Sequence, residues 1–563
     1  MRLLSLRLHG RYKGLQNQEF DFSESSDQVI AFIGLNGSGK SQLLELISEC
    51  FAFLERAQRP DFQVKTPLGF GFTIEYQIHN HSQYAGSNYQ MAGSTQTFAG
   101  AIPDPIYRVE LAGNSKEPEV YLQEGADWYP IELDNLQLPR VVGYSSGLNE
   151  NLQRSFLKNA NQIYEGLTVF SRRKRQLRRE SEPQIVDERF LRRYPYLFRQ
   201  EVTRYQSGNE FIEQFGSISE VSLRSSTHVY LDYDSAQLAI ASLSILNHQV
   251  ISNALCGTTF NRPVEMQMEY DLKNWVIDDD IAEDIAKFIG DMLPWNVDGR
   301  GGIATSAEFE EFGVHYLRGF ATLDFLDTDV TKFLAQSNAD SGLRMFEKLY
   351  RIQQLGLKAL SSNARQNLKK DNYLGAVKKP LKSRLPFAVL QLKLADEDGR
   401  VVNYDDLSDG EAQLLQVLAI ITLFKDEQTL FLLDEPETHL NPAWRTHFHS
   451  FLQQALSAGT GNAQVLVSTH SPFMISSLHK DSVFMFERNA DGTIRYHLAI
   501  EETYGASFDV LIKQFFGLES LISHTVVEEI RRRIRVDENG IVEWLETLGK
   551  SPEKSYLIKK LGS

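Results

Sequence analysis

The chain has 563 residues, of which 42% are hydrophobic, 23% charged and 11% aromatic, so we expect two to four packed units rather than one core. The net charge of −16 excludes a surface that is basic everywhere, although a local basic patch remains compatible with it. Two distant cysteines exclude a disulfide framework, and without a long apolar run we expect a cytoplasmic protein that does not enter a membrane.

The first informative stretch is Gly34–Ser41, whose sequence GLNGSGKS fits the P-loop pattern G-x-x-x-x-G-K-[ST]. The apolar run Val29–Ile33 before it predicts a buried strand, and Gln42–Ile47 after it opens an amphipathic helix. Glycines let successive backbone N–H groups face one phosphate, and the helix N-terminus adds a partial positive charge. Average composition predicts about 0.02 chance matches in a chain of this length. The expected ligand is therefore a nucleotide.

The pattern also assigns individual roles. Lys40 is expected to reach the β- and γ-phosphates, and the Ser41 hydroxyl to ligate Mg²⁺. Arg11 and Tyr12 precede the loop; we interpret both as solvated hairpin residues, with a position near the adenine as the alternative. The remaining residues expected to bind the nucleotide in this region are Asn36, Gly37, Ser38, Gly39 and Gln42.

Residues 58–139 read as β-rich and irregular. Phe70–Tyr76 predicts a strand, whereas the Gly-, Ser-, Gln- and Asn-rich stretch at 82–100 predicts a loop. Arg140–Asn149 resembles a strand that returns to the core and ends in a polar turn. Ser145 and Ser146 in that turn are either a second phosphate- or Mg²⁺-sensing loop or ordinary turn residues.

Residues 150–385 lack nucleotide signals and predict a mainly helical insertion. Its acidic run at 278–280 is better explained as helix N-terminal charge than as a metal site. A basic segment suggests phosphate contacts with stacking by Tyr194, Tyr196 and Phe198, and thus a nucleic-acid partner. The alternative is a solvated helix face balanced by nearby acids. The basic residues are Arg172, Arg173, Lys174, Arg175, Arg178, Arg179, Arg189, Arg192, Arg193 and Arg199, and the acids are Glu180, Glu182, Asp187 and Glu188.

A second anion site is predicted where Leu407–Glu411, with the sequence LSDGE, opens a helix. A serine hydroxyl, a glycine amide and a helix N-terminus together suit a phosphate, and a simple capped helix start is the alternative. The stretch resembles the ABC-type signature LSGGQ in the LSxGE form of SMC-like ATPases. That resemblance implies that Ser408, Gly410 and Glu411 close on the γ-phosphate held by another subunit.

Two further buried strands end in chemically active side chains. The run Thr429–Leu433 predicts a central parallel strand, and it resembles a Walker B strand that places Asp434 at Mg²⁺. Glu435 would then orient or deprotonate the attacking water. Residues 437–442 resemble the D-loop of the same family. The strand at 463–469 precedes His470, which resembles the family's switch histidine and can hydrogen-bond a γ-phosphate.

Taken in order, GLNGSGKS, LSDGE, LLDEP and STHSP resemble the ATPase head of the SMC/RecF/OLD-like ABC group. An AAA+ module fits less well because it lacks LSxGE and places Walker B nearer the P-loop. The resemblance implies an α/β P-loop NTPase head, a mixed sheet with flanking helices, split by the insertion. The expected divisions are an N-terminal lobe at 1–149, the insertion at 150–385, a C-terminal lobe at 386–500 and a helical tail at 501–563.

The resemblance is nearest to ATPases of anti-phage systems of the Septu PtuA type, which work with a separate HNH nuclease. It implies ATP and Mg²⁺ as cofactors, head-to-head assembly into at least a dimer, and control of such a nuclease. One alternative is a RecF- or SMC-like DNA-repair ATPase, against which the missing coiled-coil pattern counts. The other is an OLD-like nuclease, although 63 residues from Glu501 are too few for its Toprim domain.

Overall fold

The computed structural model describes residues 1–79, 104–146, 150–207, 210–221, 224–255, 257–271, 318–378, 380, 385, 387–457, 463–517, 522–536 and 540–561. The predicted loop at 82–100, the acidic run at 278–280 and the end of the polar turn at 147–149 lie outside these residues.

Twenty-one strands are described, numbered here in chain order. They are β1 (Arg2–His9), β2 (Arg11–Tyr12), β3 (Leu15–Gln16), β4 (Glu19–Asp21), β5 (Val29–Gly34), β6 (Gly71–Gln77), β7 (Ile106–Leu111), β8 (Glu119–Glu124), β9 (Asp127–Ile131), β10 (Arg140–Ser145), β11 (Phe198–Ser207), β12 (Glu210–Glu220), β13 (His228–Leu231), β14 (Arg262–Asp271), β15 (Arg318–Asp324), β16 (Phe387–Ala395), β17 (Val401–Asn403), β18 (Thr429–Asp434), β19 (Gln464–Thr469), β20 (Val483–Arg488) and β21 (Ile494–Leu498).

The α-helices of the described residues follow the same numbering. They are α1 (Lys40–Gln58), α2 (Glu150–Arg179), α3 (Pro183–Arg193), α4 (Tyr233–Ser242), α5 (His248–Ala254), α6 (Thr328–Ser337), α7 (Gly342–Gln354), α8 (Ser362–Leu368), α9 (Asp409–Phe424), α10 (Pro442–Ser457), α11 (Pro472–Ile475), α12 (Phe508–Phe516), α13 (His524–Arg535), α14 (Ile541–Thr547) and α15 (Pro552–Leu561).

A seven-stranded sheet in the order β13-β10-β18-β19-β5-β20-β21 forms the centre of the molecule. Every neighbouring pair is parallel except β20 and β21. β5, β18 and β19 are buried along their whole length. Their near-continuous apolar sequences therefore match a sheet that is covered on both faces, as the ABC-type ATPase head requires.

Helix α1 lies between this sheet and a second, antiparallel sheet in the order β4-β1-β6-β7-β8-β9. One hydrophobic cluster joins residues of both sheets to α1, and most of that helix is buried. The helix that follows the P-loop is thus enclosed rather than lying on the surface. Because both of its ends are fixed by this packing, the loop before it has a rigid support.

The opposite face of the central sheet is covered by a second, larger hydrophobic cluster. It includes α9, α4 and α7, together with a four-stranded sheet in the order β15-β14-β16-β17. α9 is buried along nearly all of its apolar length. The helix that the LSDGE stretch opens is therefore a core element of the head.

The range 150–385 is mainly helical in its described part, as the sequence predicts. It is not structurally separate from the head, however, because its strand β13 pairs with β10 at the edge of the central sheet. Only four residues form this strand, which is too short for the alternation or apolar length that predicts a strand. The division into four ranges remains a prediction.

None of the helices in the described ranges is long and apolar enough to cross a lipid bilayer.

Candidate nucleotide site

The P-loop lies at the carboxyl end of β5, next to the ends of β19 and β18. Gly34 ends β5 and Lys40 begins α1, so five residues form the loop between them. Asp434 ends β18 and Thr469 ends β19. Ligands of parallel sheets bind at the carboxyl ends of the strands. The sheet order thus brings the P-loop next to two strand ends that lie hundreds of residues further along the chain.

Two glycines of the loop differ in their surroundings. Gly39 has a φ of 109°, and a Cβ there would lie 2.4 Å from Cδ1 of Ile494. At Gly37 no atom lies within 4 Å of such a Cβ, so its backbone faces open space. The Ser38 hydroxyl is buried and has no hydrogen-bond partner among the described residues. An open backbone beside an unsatisfied hydroxyl fits a cradle for phosphate oxygens.

Lys40 is held at the centre of the site by protein groups. Its Nζ lies 2.9 Å from the Gly34 carbonyl oxygen and 3.0 Å from Nε2 of His470. Burial lowers the pKa of Lys40 to about 8, and the nearby Glu435 carboxylate opposes that shift. A phosphate beside Nζ would supply the negative charge that the buried ammonium lacks.

One nitrogen of His470 contacts two groups. Its Nε2 lies 3.0 Å from Lys40 Nζ and also 3.0 Å from Oε1 of Glu435. A neutral imidazole nitrogen either accepts or donates a hydrogen bond, depending on the tautomer. Nε2 therefore accepts from Lys40 in one tautomer and donates to Glu435 in the other. A ligand that draws Lys40 away favours the second arrangement.

Ser41 and Asp434 form the pair that the sequence assigns to Mg²⁺. Ser41 Oγ donates to Asp434 Oδ1 at 2.7 Å, and the Ser468 hydroxyl donates to the same oxygen. A hydroxyl and a carboxylate suit Mg²⁺, which keeps several waters and takes its other oxygens from phosphates. No group of three or more His, Cys, Asp or Glu side chains able to hold a metal occurs in the described ranges. Ser41 and Asp434 therefore fit a Mg²⁺ ion that is bound together with a nucleotide.

Glu435 has an uncommon backbone conformation. Its φ of 52° lies in the left-handed region, which costs a non-glycine residue about 1–3 kcal/mol. Its backbone N–H donates to the Ser468 carbonyl at 3.0 Å and so holds the turn against β19. The hydrogen bond with His470 lowers the pKa of the Glu435 carboxyl. The ionised Glu435 carboxylate is thus held directly after the carboxyl end of the Walker B strand.

A cavity opens beside these groups, and Glu437 forms its buried wall. The Thr469 hydroxyl donates to Oε1 of Glu437, while Oε2 has no partner among the described residues. Burial raises the pKa of Glu437 to about 7. The sequence placed Glu437 in the D-loop but gave no sign of this environment. The lining residues are Leu35, Asn36, Glu435, Glu437, Thr438, Arg445, His470, Ser471 and Phe516.

The signature residues begin α9 and do not line that cavity. Ser408 and Glu411 form a capping box, in which each side chain accepts from the other's backbone N–H. The capped helix start that the sequence left as an alternative is thus present, and Ser408 is also exposed. A Cβ on Gly410 would lie 2.8 Å from the His439 carbonyl oxygen. α9 therefore braces the D-loop of its own chain, and its N-terminus remains open to solvent.

The hairpin before the P-loop differs from the prediction at one position. Arg11 is exposed as predicted, but Tyr12 is fully buried, and its hydroxyl accepts a hydrogen bond from Arg154 at 2.9 Å. The solvated interpretation of Tyr12 is wrong because α2 covers it. Gln42, predicted to bind nucleotide, accepts from the Gly14 backbone N–H at 2.9 Å. Its side chain therefore ties the hairpin turn to α1.

The polar turn at the end of β10 also lies near the site. Ser145 is the register partner of Asp434, and the Ser146 N–H donates to the Asp434 carbonyl at 3.1 Å. This turn therefore lies against the Walker B strand, which is compatible with both interpretations of it.

Arg488 contacts the P-loop, although the sequence patterns did not point to it. Its Nε donates to the Gly37 carbonyl at 2.6 Å. No local pattern marks it, because β20 meets the P-loop only through sheet pairing.

The basic segment lies on α2, α3 and the start of β11, and one of its aromatic residues is buried in a small core. Phe198 is fully buried, and Tyr194 and Tyr196 pack against the cluster that contains it. Stacking by Phe198 is therefore excluded, because the ring is part of a small core. Arg173 is also buried and pairs with Asp187 at 2.9 Å and Glu220 at 2.7 Å.

A protein-family model described as "AAA domain, putative AbiEii toxin, Type IV TA system" matches residues 159–476, more than half of the chain. The chain belongs to this family. The matched range contains LSDGE, the Walker B strand and STHSP but begins after the P-loop. The family's description names an AAA domain, whereas the sequence motifs favoured an ABC-type head over an AAA+ module. The motifs within the matched range resemble those of the ABC type.

Individual relatives are more distant than the family match. The chain is 30% identical over 138 residues to Protein ea59 of Escherichia phage lambda, which is 23% of this chain and 25% of that protein. The chain thus spans about a quarter of the length of that curated relative.

Solved structures of SMC heads are also similar. An Smc head domain with an extended coiled coil, bound to the C-terminal domain of ScpA, from Pyrococcus furiosus aligns with 12% identity and a TM-score of 0.30, covering 94% of this chain and 99% of that one. The SMC head domain from Thermotoga maritima aligns with 10% identity and a TM-score of 0.32, covering 89% and 100%.

The family match assigns an AAA domain to this chain. Its P-loop, Walker B strand and switch histidine meet at one edge of a mixed sheet with flanking helices. The roles of the individual side chains in binding and catalysis remain predictions.

Proposed function

We propose that this protein binds Mg²⁺-ATP at the P-loop and hydrolyses it at a site that a second copy of the chain completes. The observation that carries the proposal is the convergence of Lys40, His470 and Glu435 through one nitrogen, with the Ser41–Asp434 pair alongside. A buried lysine, a hydroxyl–carboxylate pair and a strained acid in one cleft are the parts that phosphoryl transfer requires.

Each side chain has a distinct part in this proposal. The loop amides of Asn36 to Gly39 and the Lys40 ammonium hold the phosphates, and Ser41 and Asp434 hold Mg²⁺, which neutralises charge that develops on the phosphates. Glu435 accepts a hydrogen bond from the attacking water and takes its proton. His470 Nε2, freed when Lys40 turns towards the phosphates, donates to Glu435 and keeps that carboxylate in place.

The signature residues supply the argument for a second copy. Ser408, Gly410 and Glu411 are not among the residues that line the cavity beside Lys40. The exposed N-terminus of α9 nevertheless offers a serine hydroxyl and helix amides to an anion. A head-to-head dimer places this end of one copy over the phosphates of the other, as the resemblance to ABC-type heads implies. ATP would then hold the two copies together.

The first test compares two substitutions at the site. Lys40→Ala should abolish ATP binding and hydrolysis, because it removes the cation of the phosphate cradle. Glu435→Gln should lower the hydrolysis rate by about 100-fold or more while ATP still binds, because general-base catalysis of this kind contributes roughly 10²–10⁴-fold. Phosphate release and filter binding of labelled ATP measure the two quantities. Normal turnover in Glu435→Gln would sink the assignment.

We further propose that the ATP state controls a separate nuclease of the HNH type in an anti-phage system. The support is the sequence resemblance to PtuA-type ATPases, and a family whose description names a toxin of a toxin–antitoxin system. A partner can read the ATP state only if it binds the two states with different affinity. Neighbouring genes provide the test. An adjacent gene for an HNH nuclease, whose protein product co-purifies with the chain, supports control of a nuclease. Adjacent recombination genes would instead favour the DNA-repair alternative.

A further inference from the structure

Helix α2 ends in a strongly basic part of the molecule. We define the basic arm as residues 172–199, which form the last turns of α2, all of α3 and the first residues of β11. The basic arm contains ten Lys and Arg residues and four Asp and Glu residues, whereas the whole chain has a net charge of −16. The basic arm is therefore positively charged, whereas the chain as a whole is negatively charged.

Most of the positive charge on the basic arm faces solvent. Arg172, Arg179, Arg192, Arg193 and Arg199 are exposed, and no carboxylate pairs with any of them among the described residues. The buried Arg173 is used differently, because its pairs with Asp187 and Glu220 join α2 to α3 and β12. A structural arginine thus fixes the arm, and the others are presented on its outside.

The aromatic residues of the basic arm decide which nucleic acid its surface suits. Single strands bind to exposed rings on which unpaired bases stack. Here Phe190 and Phe198 are buried, and Tyr194 and Tyr196 pack against the same cluster. Exposed guanidinium groups without stacking surfaces suit a polymer whose bases are already stacked and whose phosphates face outward.

The exposed cations continue from the basic arm towards the end of α1. Arg199 and Arg224 line one cavity there, together with Arg59. The Arg59 guanidinium pairs with Asp61 at 2.6 Å and donates to the Arg224 carbonyl oxygen at 2.8 Å. It therefore positions the loop that carries Arg224, whose own side chain is exposed and has no partner among the described residues.

We propose that the basic arm binds the phosphate backbone of a nucleic-acid duplex without reading its base sequence. The bound groups are phosphates of either a DNA or an RNA duplex, since guanidinium contacts to the backbone do not depend on the sugar. This inference goes beyond the proposed ATPase cycle and does not rest on it. Binding can accordingly be measured without ATP.

The test measures fluorescence anisotropy of labelled nucleic acids with the full chain, without nucleotide, at several salt concentrations. The probes are a DNA duplex of about 30 base pairs, an RNA duplex of the same length and a thymidine single strand of the same length. At least one duplex should bind roughly tenfold or more tightly than the single strand, because no aromatic ring of the basic arm is fully exposed for stacking. Affinity should fall steeply with salt, and the stronger duplex identifies the natural source of phosphate.

The arm itself is tested with the triple variant Arg172→Ala, Arg179→Ala, Arg192→Ala. Its duplex affinity should fall by roughly tenfold or more, and the slope of log affinity against log salt should flatten by about 3. The matched control replaces Arg344, Arg532 and Arg535, three exposed arginines outside the arm, by alanine. The control should bind within about twofold of the unaltered chain.

Four outcomes would overturn the proposal. These are no binding of either duplex, equal or tighter binding of the single strand, an arm variant that binds like the unaltered chain, and a control variant that loses as much affinity as the arm variant. All six substituted side chains lie on the surface, so thermal unfolding should be the same for both variants. A lower unfolding temperature for the arm variant would trace the lost binding to misfolding and remove its support.

Discussion

Nε2 of His470 contacts both Lys40 and Glu435. This nitrogen therefore connects the residue proposed to bind the nucleotide with the proposed catalytic carboxylate. Nε2 cannot donate to Glu435 while it accepts from Lys40. Phosphates that attract Lys40 therefore change what His470 offers to Glu435. The residue that binds the ligand and the residue that acts on water are in this way coupled over two contacts of 3.0 Å each.

Proton uptake on nucleotide binding is the first prediction at this scale. Lys40 has a pKa of about 8, so about half of it is neutral at pH 8, and a phosphate beside Nζ favours the ammonium form. We expect uptake of up to about half a proton per site. Isothermal titration calorimetry in buffers of different ionisation enthalpy measures this uptake.

The control for proton uptake is Lys40→Arg, whose guanidinium stays charged at every relevant pH. In that variant the contribution of residue 40 disappears, and the binding enthalpy should no longer depend on the buffer to the same extent. Unchanged uptake would assign the proton to another group, such as Glu437, and contradict the role given to Lys40.

Glu437 carries the second prediction, which concerns stability and pH. Its folded-state pKa of about 7 lies above the ordinary value of 4.5, so the folded state holds a proton that the unfolded state has released. The stability from this group is fully present below pH 4.5 and is lost as the pH rises through 7.

Glu437→Gln removes this titration and keeps an acceptor for the Thr469 hydroxyl. Between pH 5 and 8, without nucleotide or Mg²⁺, the variant should lose less stability than the unaltered chain, by up to about 3 kcal/mol. Urea denaturation at several pH values measures the difference. Parallel pH profiles for the two proteins would show that Glu437 is not the titrating group.

At the scale of elements, α1 and α2 meet through a seam of buried charges. The Glu49 carboxylate accepts from Arg154 Nε at 3.1 Å and from Lys158 Nζ at 2.9 Å, and all three side chains are almost fully buried. Further along, Arg56 donates to Asn159 at 2.6 Å and pairs with Asp371 at 2.8 Å. Because α1 begins at the P-loop and α2 ends in the basic arm, this seam joins the two proposed binding sites.

Removing one cation from the seam should be costly. Lys158→Met leaves the Glu49 carboxylate buried with Arg154 as its remaining cationic partner, and we expect a loss of about 3 kcal/mol in the free energy of unfolding. The matched control is Lys393→Met, which breaks a half-exposed pair with Glu265 at 2.7 Å and should cost less than about 1 kcal/mol.

Urea denaturation compares these two methionine variants with the unaltered chain. Adding Glu49→Gln to Lys158→Met should recover part of the loss, because the uncompensated carboxylate is removed. Equal small losses in both single variants would mean that water reaches the seam and screens its charges.

At the scale of the whole molecule, the proposed site is divided between two copies. The P-loop of one chain and the α9 N-terminus of another form each site, so a symmetric dimer contains two of them. A chain that lacks Lys40 still offers its signature, and a chain with a blocked signature still offers its P-loop. Two inactive variants should therefore complement each other.

Mixing Lys40→Ala with Ser408→Arg tests this division. Each variant alone should be inactive, whereas the mixture should regain at most roughly a quarter of the normal ATPase rate, because half of the dimers are mixed and each has one complete site. A coupled phosphate-release assay measures the rate. Activity in Ser408→Arg alone, or none in the mixture when both variants dimerise with ATP, would place the whole site within one chain.

The sequence by itself determined the buried strands that carry the proposed nucleotide site. GLNGSGKS and LLDEP are local patterns whose flanking apolar runs predict buried parallel strands, and β5 and β18 are those strands. Such patterns are readable because the residues that carry the signal are neighbours in the chain. The ABC-type head could be predicted for the same reason.

Only the tertiary structure decided what depends on partners distant in sequence. It places the four-residue β13 in the central sheet, buries Tyr12 under α2, and encloses Glu437 until its pKa rises to about 7. It also turns the aromatic rings of the basic arm inward while its arginines stay outside. Sheet pairing and burial are set by contacts across hundreds of residues, and no local period or spacing reports them.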